Sequence, residues 1–146
     1  MASWAQFLEL SEPAEEEFTY KVTEQTALEF ARHVVQSVAE LGQRTVRLYG
    51  DPQRRINSVC AFYRRDTYAM LDSGADLVIA YDDNPTPRAW TGAEMCHDTG
   101  YPMIVVNHGV LEEPGVASLA SHLRDAFPDI PVIYLKQGCT YQEISV

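Results

Sequence analysis

The 146 residues suffice for one domain with its own core. Apolar residues make up 46% and charged residues 22%, the proportions of a globular chain, which excludes wholesale disorder, collagen and coiled coil. With 11 Lys and Arg against 21 Asp and Glu, the net charge of −10 repels polyanions and sets nucleic acid aside as a partner, since that binding rests on cationic contacts to phosphate.

Met1 to Gln6 lacks the basic start and apolar run of a signal peptide. Residues 1–21 form an arm, acidic over Glu12-Pro13-Ala14-Glu15-Glu16-Glu17 and aromatic at Trp4, Phe7 and Phe18, ahead of a domain over 22–146. The arm is solvated, docked on a neighbouring subunit, or folded back on its own domain with its aromatics hidden there. From Thr23-Glu24 a helix is expected, with Ala27, Phe30, Ala31, Val34, Val35, Val38 and Leu41 as its apolar stripe, His33 on the surface and Gly42 as its stop. Thr45 to Tyr49 and Ile56 to Tyr63 read as two strands, a hairpin or sequential sheet neighbours around Gly50-Asp51-Pro52-Gln53. A short helix over Asp66 to Ser73 ends at Gly74.

Ala75 to Tyr81 is a nearly continuous apolar strand of the kind covered on both faces. Asp82 to Pro87 is a loop, Arg88 to Thr99 a helix closed by Gly100, and Pro102 to Asn107 a second buried strand. A helix over Pro114 to Phe127 is expected to begin near its proline and to bury Ala117, Leu119, Ala120, Leu123 and Phe127. Pro131 to Leu135 reads as a strand, with Thr140 to Val146 a candidate for one more. The alternation implies a single layered α/β domain with a mixed, largely parallel sheet flanked by helices.

No stretch approaches the roughly 18 consecutive apolar residues of a membrane helix, so a soluble cytoplasmic protein with no membrane partner is expected. Cys60, Cys96 and Cys139 are odd in number and lack Cys-x-x-Cys, which predicts reduced thiols rather than disulfides or a zinc ribbon. Gly-x-Ser-x-Gly, P-loop and Gly-x-Gly-x-x-Gly are all absent. Arg54-Arg55 and Arg64-Arg65 are either a grip for one phosphate group or solvated surface.

Ligands of open α/β sheets gather beyond the carboxyl ends of parallel strands. Two such ends are polar here, Asp82-Asp83-Asn84 and Asn107 to Gly115. At the second, His108 stands at a strand tip with Glu112 four residues on. Imidazole plus carboxylate suits zinc, manganese or iron. The same pair equally suits a plain role, with His108 bonded to backbone and Glu112 and Glu113 favouring a helix N-terminus. Cys96 and His97 are neighbours on one helix and point too far apart to share a metal. His122 is expected to be exposed.

Three segments carry a resemblance. They are Gly50-Asp51-Pro52 with the Ile56 strand; Ser73-Gly74-Ala75-Asp76-Leu77-Val78-Ile79; and His108-Gly109-Val110-Leu111-Glu112-Glu113-Pro114-Gly115, followed by Leu119-Ala120 and Phe127-Pro128-Asp129-Ile130-Pro131-Val132. In that order they make the run from about Leu28 to Val132 resemble the C-terminal half of the NIF-three-like family, whose members are described as dinuclear-metal-centre hexameric proteins or homologues of GTP cyclohydrolase I type 2. In that family a histidine and a glutamate four residues later ligate the metals, which by resemblance falls on His108 and Glu112. The cofactor implied is a divalent metal, with Asp82, Asp83 or His97 available to complete an altered site. The family's remaining ligands, a His-His pair among them, come from an N-terminal half without a match here.

The resemblance therefore implies a half-length, metal-binding domain and a homo-oligomer. As an enzyme it would be a metal-dependent hydrolase. The metal would activate water and a nearby carboxylate would take the proton. The substrate would be a nucleotide-like or phosphorylated small molecule, an anionic ligand gripped by Arg54, Arg55 or Arg88. The alternative is a non-catalytic assembly or regulatory module with a vestigial site.

Overall fold

Two short apolar runs, Leu77 to Ala80 and Met103 to Val106, are buried at every position and form the centre of the sheet. The structure, a computed structural model, describes residues 2–10, 18–61, 73–82 and 87–144. In chain order its elements are α1 (Ala2–Phe7), β1 (Thr19–Thr26), α2 (Ala27–Ala39), β2 (Arg47–Tyr49), β3 (Arg55–Ala61), β4 (Leu77–Tyr81), α3 (Pro87–Thr99), β5 (Met103–Val106) and α4 (His108–Ala126). The strands form one sheet in the order β1-β3-β4-β5-β2. Its middle is parallel, with Cys60 opposite Val78 and Ile79 opposite Ile104, and its two edges are antiparallel.

Alternation along the central strands divides the core. Leu77, Ile79, Ile104 and Val106 face one layer, packed with Trp4 and Leu8 beside α1, Phe30, Val34 and Val38 of α2, and Val110 and Leu111 of α4. Val78, Ala80, Met103 and Val105 face the other, under Cys96 of α3. Both faces are covered, as parallel strands require. The expected α/β architecture is the observed one.

Several local expectations are corrected. The first long helix begins at Ala27, not Thr23. Thr26 is its N-cap and forms a capping box with Glu29, and the preceding residues join the sheet as β1, across the expected arm–domain boundary at 21/22. The Thr45 and Ile56 strands are not neighbours, because β2 pairs with β5 at the far edge while β3 lies between β1 and β4. Gly50 permits that divergence. Its φ is +82°, and a Cβ there would run into the Tyr101 carbonyl.

Within the arm's described residues, 2–10 and 18–21, the form seen is the fold-back onto the chain's own domain. Trp4 and Leu8 are buried in the chain's own core, Trp4 stacks on Phe7, and His33, half-buried rather than surface, bonds through Nε2 to the Leu8 carbonyl at 2.9 Å.

Helix α4 begins at His108, capped by Asn107, so Pro114 sits inside it. Leu119, Leu123 and Phe127, expected to be buried, are 57%, 37% and 52% exposed. Pro131 to Leu135 forms no strand. It runs beside α4, tied by Arg124 Nε to the Val132 carbonyl, and residues 140–144 form none either. A β-prone run becomes a strand only beside a partner edge. The helix expected over Asp66 to Ser73 falls almost wholly outside the described residues.

Candidate functional site

The site is built where β4 and β5 end together. Tyr81 is level with Val106, so Asp82 and Asn107 emerge side by side, joined by an Asp82 N–H to Val106 carbonyl bond of 3.1 Å. Asp82 then orders the turn into α4. Its Oδ1 accepts from the His108 backbone N–H at 3.0 Å and its Oδ2 from Asn107 Nδ2 at 3.1 Å. Asn107, 3% exposed, caps the helix by accepting from the Val110 N–H, and its own N–H donates to Gln43 Oε1 at 3.0 Å.

One helical turn brings His108 and Glu112 together, with Nε2 and Oε1 2.9 Å apart. The imidazole stands against the Tyr81 ring, centroids 4.9 Å apart. Both side chains open into a polar hollow of about 370 Å³ with Asp82, Asn107, Gly109, Gln137 and Thr140.

The hollow's far wall is the tail after α4, held by a buried carboxylate. Glu113 is 4% exposed and accepts from the Tyr134 hydroxyl, the Gln137 N–H at 3.1 Å and the Gly138 N–H at 2.8 Å. Thr140 meets Asn107 twice, receiving a 2.7 Å bond from Nδ2 and donating its N–H to Oδ1. The tail crosses α4 at Gly109, where a Cβ would lie 3.1 Å from the Gly138 carbonyl oxygen. Gln43 Nε2 reaches the Tyr141 hydroxyl at 3.1 Å, and burial pushes that phenol's pKa up.

The predicted site residues are thus partly gathered. His108, Glu112 and Asp82 line one hollow, but Asp82 is turned into helix-start hydrogen bonds. Asp83 lies outside the described residues. Among the described residues no cluster of three His, Cys, Asp or Glu could hold a metal.

Other candidates stand apart. His97, 84% exposed beside Asp98, shares with Asp82 a second hollow of about 730 Å³ over β5 and α3, away from Glu112. Cys96 is buried beneath that helix, and burial pushes its thiol up to about 11. Arg54 and Arg55 are at the wrong end of the sheet. Arg54 precedes β3 and Arg55 opens it, and β3 is parallel to β4, so both stand at the strand starts, Arg54 over the Tyr101 ring and Arg55 paired with Glu24 at 2.9 Å. Neither can grip a ligand held at His108. The side chains of Arg64, Arg65 and Arg88 lie outside the described residues.

Sequence reasoning missed Gln43, Gln137 and Thr140, and it placed Asn107 and Glu113 at the polar strand end without their contacts to the tail. Asn107 alone carried a legible signal, an N-cap residue directly after an apolar strand.

A parallel-centred sheet edged by antiparallel strands, with its polar hollow beyond β4 and β5, places the chain in the NIF3-like class of α/β fold. A Bacillus cereus protein related to NIF3 matches with a TM-score of 0.65 at 20% identity, over 88% of this chain and 35% of that one. A hypothetical protein of Staphylococcus aureus matches at 0.64 and 18% identity, over 86% and 42%. A protein of Thermus thermophilus matches at 0.58 and 18%, over 91% and 53%. The likeness is one of fold, and the chain spans about a third to a half of each structure's length. No family model and no curated protein matches the sequence. Among the described residues no helix is long and apolar enough to cross a membrane.

Proposed function

We propose that this chain is a half-length NIF3-like domain that holds a divalent cation, zinc, iron or manganese, at His108 and Glu112. The observation that carries the reading is the 2.9 Å Nε2–Oε1 pair at the tip of β5, opening into a polar hollow. The donor set fits such an ion in kind, one imidazole nitrogen and one carboxylate oxygen. It supplies two ligands, so the rest come from water or from another chain. A bound ion would supply Lewis-acid chemistry, which suits hydrolysis of a small phosphorylated molecule.

The chain's own residues prepare that site. Asp82 fixes the His108 backbone, Tyr81 holds the ring, and Asn107 anchors both the helix start and the tail. A non-catalytic assembly module is the second reading, favoured by the shortfall in ligands among the described residues. Self-association belongs to either reading.

Calorimetric titration with zinc and with manganese tests the proposal. Saturable binding that His108→Ala abolishes and Glu112→Gln weakens supports it. Absence of binding, or binding unchanged in His108→Ala, sinks it and leaves the module.

A further inference from the structure

The second hollow, about 730 Å³ between α3 and the edge strand β2, takes no part in the function above. Its volume is that of a small-molecule site, roughly 300–1,000 Å³. Met103 and Val105 of β5, both buried, form its base. Register sets one wall. Tyr49 pairs with Met103 and Arg47 with Val105, and residues two apart on a strand share a face, so both rise on the side where Tyr49 packs into the α3 layer. Helical spacing sets the other wall, where Ala93 and Glu94 stand one turn before His97 and Asp98.

The two ends of the hollow differ. Helix α3 turns into β5 through residues 100–102 alone, so the two run in opposite directions. His97 and Asp98 are therefore nearer the level of Met103 and Tyr49, and Glu94 is a turn further on, toward Val105 and Arg47. The Tyr49 end is aromatic and apolar. At the other end the side chains of Arg47 and Glu94 are exposed, and among the described residues neither makes a hydrogen bond or an ion pair. Asp98 is paired with His97, and Asp82 is committed to the start of α4. One guanidinium and one carboxylate are thus left for a ligand.

We propose that this hollow binds an amino-acid zwitterion with an aromatic side chain, its carboxylate on Arg47, its ammonium on Glu94 and its ring over Met103 and Val105 against Tyr49. A simple anion would be opposed by Glu94 and Asp82, and a simple amine by Arg47, so a ligand carrying both charges satisfies both groups. The planar guanidinium fork matches a carboxylate. Thioether and phenol ring suit an aromatic body better than an aliphatic one.

The inference does not rest on the His108–Glu112 pair, so its test is run in chelator. Calorimetric titration compares phenylalanine with phenethylamine, which lacks the carboxylate, and with phenylpropanoate, which lacks the ammonium. Phenylalanine is expected to bind saturably, with a dissociation constant of roughly a millimolar or below, and more tightly than either fragment. Arg47→Gln should weaken phenylalanine and phenylpropanoate by roughly fivefold to tenfold but not phenethylamine. Glu94→Gln should weaken phenylalanine and phenethylamine but not phenylpropanoate. Both side chains are exposed, so circular dichroism should be unchanged in each variant. Absence of saturable phenylalanine binding, binding that both variants leave intact, or a fragment that binds as tightly as phenylalanine overturns the proposal.

Discussion

Glu113 holds the tail that walls the candidate site. Replacing it with alanine removes the acceptor for the Tyr134 hydroxyl and for the Gln137 and Gly138 N–H groups. A hydrogen bond to a charged group contributes about 1.5–3 kcal/mol. Three such bonds set an upper bound that is not reached, because the freed tail groups can turn to water. About 3 kcal/mol is the working value, felt first as opening of the tail, so the fall in Tm stays below the roughly 6–12 °C that a global loss of that size would bring to a chain of this length. The loss is local. Hydrogen exchange should show about a hundredfold loss of protection at Gln137 and Gly138, while amides of β4 and β5 change only with global stability. Glu113→Gln keeps the shape and one acceptor oxygen and should fall between. Unchanged exchange at Gln137 and Gly138 in Glu113→Ala would show that the carboxylate does not hold the tail.

Thr26→Ala removes the N-cap of α2 and should cost about 1 kcal/mol by denaturant unfolding. The Thr26 backbone and side-chain bonds hold the Glu29 carboxyl below its ordinary range. Its stabilisation is complete above the unfolded value and is lost as pH falls through the lowered folded one, so Thr26→Ala should flatten the acid limb of the stability profile. Gly50→Ala combines a φ of +82° with a clash against Tyr101 and should destabilise by about 1–3 kcal/mol, read by thermal melting. A thiol reagent at pH 8 should modify the half-exposed Cys139 first. Cys60 and Cys96 are buried, and the Cys96 thiol is pushed up to about 11, so both should react only on unfolding.

What the sequence made legible is what short-range pattern decides. Val78, Ile79, Ile104 and Val105 could only be core strands, and Phe30, Val34 and Val38 could only be one face of a helix. What failed depended on partners far along the chain. Tyr20 to Gln25 is weakly patterned and becomes a strand because β3 lies beside it. Val132 to Leu135 is strongly patterned and remains unpaired because the sheet ends elsewhere.

Pro114 drew the expected start of α4 six residues too late, since proline is commonest in a first turn but tolerated further in at the loss of one bond. The convergence of His108, Glu112 and Asp82 followed from the strand tips. The Glu113, Gln43 and Asn107 latches did not, because each joins segments 21 to 98 residues apart.

Crystals grown in manganese and examined by anomalous scattering test the central claim most directly. The expected result is a peak within roughly 2–2.5 Å of both His108 Nε2 and a Glu112 carboxylate oxygen, absent from His108→Ala crystals. A protein that binds manganese only beside His97, or shows no peak at the tip of β5, contradicts the account.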